Sequence, residues 1–150
     1  MPPTIARRTL LQGGLAAGLG LALPPARGCE FWSTHLRIYL PRSRATASGD
    51  TVAALCMTFD QVLAADRLIG VETPVAAAAE MGGASARPVV DFAIPAGRES
   101  VLSEDGTFIR LVGLNHPLEL GRSYPLTLLF EKAGAVKADI DIDVDHEPHA

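Results

Sequence analysis

From Leu36 onward, apolar side chains return at every second position rather than every third or fourth, and no other feature narrows the fold as much. Leu36, Ile38 and Leu40 alternate with Arg37 and Tyr39, while Ala53, Leu55, Met57 and Phe59 alternate with Ala54, Cys56 and Thr58. A period of two lays one row of side chains on each side of an extended strand. Similar runs span 67–71, 87–94, 100–103, 107–114, 124–130 and 135–144, most of them bounded by Gly, Pro or Asp. About eight short, half-apolar strands must each hide one face against a second sheet, so the spacing predicts an all-β, antiparallel sandwich or barrel.

Two segments read less simply. Residues 61–65 fit either a helical turn or a loop crossing between sheets. Residues 74–79 are alanine-rich, but too few for a stable isolated helix, which favours strand. The last run alternates without a break: Asp139, Asp141, Asp143 and Asp145 share one face, and Ile140, Ile142 and Val144 the other. It is expected as a terminal strand with a solvated outer face whose stacked carboxylates discourage edge pairing.

The first 28 residues read as an export signal. Arg7 and Arg8 precede an apolar, glycine-rich run from Leu10 to Leu23, followed by Pro24, Pro25 and the small-x-small triplet Ala26-Arg27-Gly28. The run is too short and too glycine-rich for a permanent span. The paired arginines suggest the twin-arginine route, with an ordinary secretory signal as the alternative. Cleavage before Cys29 exposes that cysteine as the N-terminus, the arrangement of a bacterial lipoprotein. The competing readings are a Cys29 to Cys56 disulfide, permitted in an oxidising compartment, and a Cys56 that is simply a buried thiol. Phe31 and Trp32 suit a membrane interface if Cys29 is lipidated, and otherwise cover the open end of the sandwich.

Without the signal, the 13 Lys and Arg lose Arg7, Arg8 and Arg27 and become 10 against 17 Asp and Glu, a formal charge of −7. That balance argues against a nucleic-acid partner, which needs a basic face. The remaining chain suffices for one domain over 29–145, with 146–150 as a flexible tail. No phosphate loop, Cys-x-x-Cys, His-Glu-x-x-His or Gly-x-Ser-x-Gly is present. Asp60, Asp66 and Glu72 have no evident partner base, so no enzyme is expected. His35 and His116 read as surface residues. His146 and His149, in an acidic tail, offer nitrogen and oxygen ligands of the kind Cu(II) or Zn(II) accepts.

The order and spacing of 66-DRLIGV-71, 94-IPAG-97, 113-GL-114, 117-PLELG-121 and 124-YPLTLLFEKAG-134 resemble the PCu(A)C-type periplasmic copper chaperones over roughly 53–144. The resemblance implies a cupredoxin-like β-sandwich that carries Cu(I) in the bacterial periplasm and helps load the copper sites of cytochrome oxidase. It also implies a ligand set: a His-x-Met in one strand, a Met from the following loop, and a second His-x-Met leading into Gly-Leu. With Gly113-Leu114 in register, Phe108 and Arg110 stand at the second pair, and Ala79 and Met81 at the first. The loop 82–86 has no Met. Phenyl has no lone pair to give and guanidinium only donates, so neither replaces a soft ligand.

Two functions follow. One is a copper carrier using Met81, with Met57 and the tail histidines His146 and His149, that hands copper to copper-site proteins of the respiratory chain or to another chaperone. The other is a ligand-degenerate relative acting as a non-metal binding or assembly module. Either is expected in the periplasm, with a membrane reached only through a lipid on Cys29.

Overall fold

A computed structural model of the chain describes residues 30–144. Ten strands make up the architecture: β1 (Glu30–Trp32), β2 (Arg37–Arg44), β3 (Val52–Asp60), β4 (Asp66–Glu72), β5 (Ala76–Gly83), β6 (Phe92–Ile94), β7 (Ser100–Leu102), β8 (Thr107–Leu114), β9 (Ser123–Phe130) and β10 (Gly134–Val144). No helix occurs among the described residues. The strands form one curled sheet in the order β5-β8-β3-β2-β10-β9-β4-β6, with β1 added to β2 and β7 to β3.

The curl has a visible corner at β3. Its first half, Val52 to Leu55, pairs with β8, and its second half, Met57 to Phe59, pairs with β7. One strand therefore serves two walls, which close over a single core. Leu36, Ile38, Leu55, Met57, Phe59, Leu68, Ile109, Leu111, Leu128 and Ile140 are sealed from solvent in it. The Phe59 ring sits at its middle, 6.0 Å from the rings of both Phe92 and Phe130. The sequence alternation thus marks most of the buried rows, although Leu40 is only partly buried where β2 shifts register and Cys56 is buried from the other row, and the all-β, cupredoxin-like expectation is met.

Three details differ from the expectation. The strands number ten rather than about eight, because the alanine-rich run contributes β5 and the residues before Ser33 contribute the short β1. The run 87–94 contributes only β6, since Pro88 cannot donate to a ladder and Arg87 makes only an isolated bridge to Met81. Most consequentially, β10 is not an edge. It lies between β9, its antiparallel hairpin partner, and β2, with which it pairs parallel. The alternation holds, with Ile140 and Ile142 buried and the aspartates outside.

Residues 61–65 form a loop, and Val62 plugs the core from it. Of residues 74–79, expected as strand, 76–79 belong to β5, whereas Pro74 and Val75 form the turn before it. The 131–134 turn joins β9 to β10 with Gly134 at φ +77°, a conformation side chains other than glycine rarely take.

The β5–β8 face and the relatives of the chain

Strands β5 and β8 pair antiparallel with Glu80 opposite Arg110, Gly82 opposite Phe108, Ala79 opposite Leu111 and Met81 opposite Ile109. Residues opposite one another share a side of the sheet. Ile109 and Leu111 are fully buried, so Ala79 and Met81 face the core, and Glu80, Gly82, Phe108 and Arg110 form the outer face. The resemblance had set Met81 beside Phe108 and Arg110. The pairing puts it on the opposite side, because a shift of one residue exchanges the two faces of a strand. Met81 is 1% exposed. The positions that face Phe108 and Arg110 are Gly82 and Glu80.

The outer face is filled by its own side chains. Arg110 Nη1 donates to Glu80 Oε2 at 3.4 Å. The Phe108 ring lies directly on the Gly82 backbone, so that a Cβ built at Gly82 would come within 2.5 Å of the ring. Glycine is required there for a reason the sequence alone does not display: it makes room for an aromatic on the neighbouring strand.

The other candidates are dispersed. Met57 is buried in the core. His146, His149, Asp145 and Cys29 lie outside the described residues, as do 1–28, expected as an export signal, and 146–150, expected as a tail. Cys56 is 4% exposed, and burial pushes its thiol up to about 11. It lines a cleft of about 260 Å3 with Arg42, Arg44, Ser103 and Glu104. Among the described residues no three or more His, Cys, Asp or Glu side chains converge in a way that holds a metal.

Of the acidic residues singled out in the sequence, Asp60 and Asp66 have structural partners. Asp60 receives two hydrogen bonds from Arg37, at 2.7 and 2.5 Å, and Arg37 holds its carboxyl below the usual range. Asp66 is buried at the start of β4 and accepts from the backbone N–H groups of Arg67, Lys132 and Ala133 at 2.8, 2.8 and 3.1 Å. Its Oδ2 also lies 2.9 Å from His35 Nε2. Burial alone would raise this carboxyl, but these hydrogen bonds outweigh it and its pKa lies below the ordinary value. His35 is therefore half of a buried knot rather than a surface residue. His116 packs against Tyr124, ring centres 5.6 Å apart.

Comparison with known proteins places these features. The chain is 27% identical to the copper-bound PCuAC domain of PmoF2, with a TM-score of 0.69 over 77% of this chain and 97% of that domain. It is 26% identical to the apo PCuAC domain of PmoF1, with a TM-score of 0.69 over 77% of this chain and 98% of that one. The Cu(I) form of DR1885 from Deinococcus radiodurans shares the fold at 22% identity and a TM-score of 0.56, over 72% of this chain and 80% of that one. No curated protein matches the chain. The fold is that of the PCuAC copper-chaperone domains. Within that class the LpqE-like family model matches residues 36–142, and the chain belongs to that family.

The donor set does not suit Cu(I) on this face. Thioether and imidazole serve a soft monovalent cation, whereas Glu80, Gly82, Phe108 and Arg110 supply a carboxylate, no side chain, a hydrocarbon ring and a cation. A guanidinium 4 Å from an arriving unit charge opposes it by about 4 kcal/mol at an effective dielectric of 20, partly offset by Glu80.

Proposed function

We propose that this copper-chaperone-family domain works outside the cytoplasm, anchored through Cys29, as a docking module in copper-site assembly that does not hold Cu(I) on its β5–β8 face. The observation that carries the reading is the occupied outer face: an Arg110–Glu80 ion pair beside Phe108 seated on Gly82. Its partners, on this reading, are copper-site proteins such as cytochrome oxidase subunits or another copper chaperone. They are met through surface contact rather than metal transfer.

Anchoring is supported from two directions. The family is that of LpqE-like lipoproteins. The strand order also disfavours the competing disulfide. Glu30 pairs with Tyr39, which pairs with Thr58, so β1 and β3 lie on opposite sides of β2, about 9.6 Å apart. Cys56 is two residues further along β3. A disulfide needs Cα atoms within about 7 Å, so a bridge from residue 29 requires the start of β1 to leave β2. The upstream residues 1–28 then serve as the export signal of the twin-arginine type.

A second reading, copper carriage by Met81 and the tail residues His146 and His149, is favoured by the 27% identity to a domain described as copper-bound. A Cu(I) competition titration of the mature chain under reducing conditions separates the two. The docking reading expects no stoichiometric binding, or binding that disappears with a tail deletion ending at Val144. Tight binding that survives the deletion and is lost with a conservative change at Met81 overturns it.

A further inference from the structure

The outer wall of β1, β2, β3 and β7 carries exposed apolar side chains that neither the core nor the β5–β8 face uses. Register sets Glu30, Tyr39, Thr58 and Val101 in one row and Trp32, Arg37 and Asp60 in the next, all on one side. Trp32 is 54% exposed, Val101 47% and Tyr39 38%. Phe31, between Glu30 and Trp32, packs against the core instead, so β1 is amphipathic and Trp32 is directed outward by the pleat. One guanidinium serves the two carboxylates of this wall and leaves a net charge of −1. Arg37 holds both oxygens of Asp60, reaches Glu30 at 3.4 Å, and lies 4.9 Å from the centre of the Tyr39 ring.

We propose that this wall is a membrane-docking face, lying against the lipid headgroups of the bilayer that anchors Cys29. The proposal rests on the lipidation of Cys29 put forward above. Chain length supplies the occupant. Cys29 is bonded directly to Glu30, the first residue of β1, so their Cα atoms are about 3.8 Å apart and no linker intervenes. Trp32 follows about 7 Å further along the strand. A lipid at Cys29 therefore brings β1 to the bilayer surface, and the indole and phenol beside it are the side chains that favour that boundary. The mature chain is acidic overall, and on this wall the single Arg37 pairs with both Glu30 and Asp60, which leaves one net negative charge facing the lipid.

Trp32 is the only tryptophan, so its emission reports on this wall alone. The test uses the mature chain in two forms. One is isolated from membranes with its N-terminal mass recorded. The other is unlipidated and coupled through Cys29 to a maleimide phospholipid, Cys56 being buried. Vesicles of phosphatidylethanolamine and phosphatidylglycerol carry bromine at shallow or deep acyl positions. The expected result is blue-shifted Trp32 emission, quenched more by shallow than by deep bromines. Both effects should be lost in Val101→Glu and in Tyr39→Glu but kept in Val52→Glu, at the far end of β3, with unfolding midpoints checked for each variant.

Solvent-type emission from the vesicle-coupled chain overturns the docking face. So does shielding of Trp32 that develops without vesicles as protein concentration rises, which would assign the wall to a second copy. A native N-terminal mass without diacylglycerol overturns the anchoring reading alone, and the coupled form still decides the face.

Discussion

Met81 and Arg110 sit on neighbouring strands yet belong to opposite sides of the sheet, and their substitutions should separate accordingly. Truncating Met81 to Ala empties a sealed site and should cost about 2–5 kcal/mol, read as a fall in the urea midpoint. Met81→Leu conserves volume and should cost less than about 1.5 kcal/mol, with no change in Cu(I) titration. If Met81 were a ligand, the leucine variant would lose the metal at a similar stability. On the outer side, the Arg110–Glu80 pair is half exposed and contributes at most about 1 kcal/mol. The triple change Phe108→His, Arg110→Met and Glu80→Met should therefore leave the fold intact. It should raise Cu(I) affinity at least about tenfold over wild type in the same competition assay.

Asp66 behaves differently, because three backbone N–H groups and the His35 ring converge on its buried carboxylate. Asp66→Ala should cost about 2–4 kcal/mol by leaving the Lys132 and Ala133 N–H groups unpaired. Its folded pKa lies below the ordinary carboxylate value, so the unfolded chain binds more protons in that range and stability falls with pH. The contribution is complete above the unfolded value, about 3.9, and is lost as pH drops through the folded one. Urea unfolding at pH 7 and below pH 4 should show this loss in wild type, and a smaller one in Asp66→Asn.

At the scale of elements, β10 carries more of the architecture than a terminal strand would. Ile140 and Ile142 are buried between β2 and β9, and β10 supplies the parallel partner of β2. A chain ending at Val144 should unfold at the wild-type midpoint, while one ending at Ala138 should show no cooperative transition by circular dichroism. The buried rows of β10 were legible in the sequence, because alternation is a local property. Its neighbour β2 was not, since that pairing joins residues about a hundred positions apart and leaves no local mark.

The same division explains the site. The resemblance directs attention to Phe108 and Arg110, and their side-chain chemistry argues against a soft ligand pair there. Their true counterparts, Glu80 and Gly82, were missed because Ala76 to Ala79 offer no alternation from which to fix a register. His35 and Asp66, which the chain separates widely, gave no sign of meeting. The signal that could have found Gly82 is the double glycine at 82–83 ending an extended run, since an interior glycine in a strand often marks a close approach.

For the whole molecule, β3 links two regions with different tasks. Its Asp60 lies in the row of Trp32 and Arg37, and its Ala54 lies opposite Arg110. Six residues at about 3.3 Å each separate them by about 20 Å. If the Trp32 wall rests on the bilayer, the Glu80–Arg110 face stands about that far along the sheet from the anchored edge and is open to a partner in the aqueous phase. Single cysteines test this arrangement in a chain whose Cys29 is blocked or already coupled to lipid before the new thiol is exposed to reagent, because Cys56 is buried with its thiol pushed up to about 11. Wild type so treated should thus react little with a membrane-impermeant maleimide at pH 7 until it is unfolded. Val52→Cys, at a position 51% exposed beside the β8 ladder, should react at the same rate before and after attachment to vesicles. Val101→Cys should react readily in detergent-free solution and slow several-fold on vesicles. Equal slowing at both positions would mean that the sheet lies with its whole outer side on the membrane, leaving the Arg110 face no access to a soluble partner.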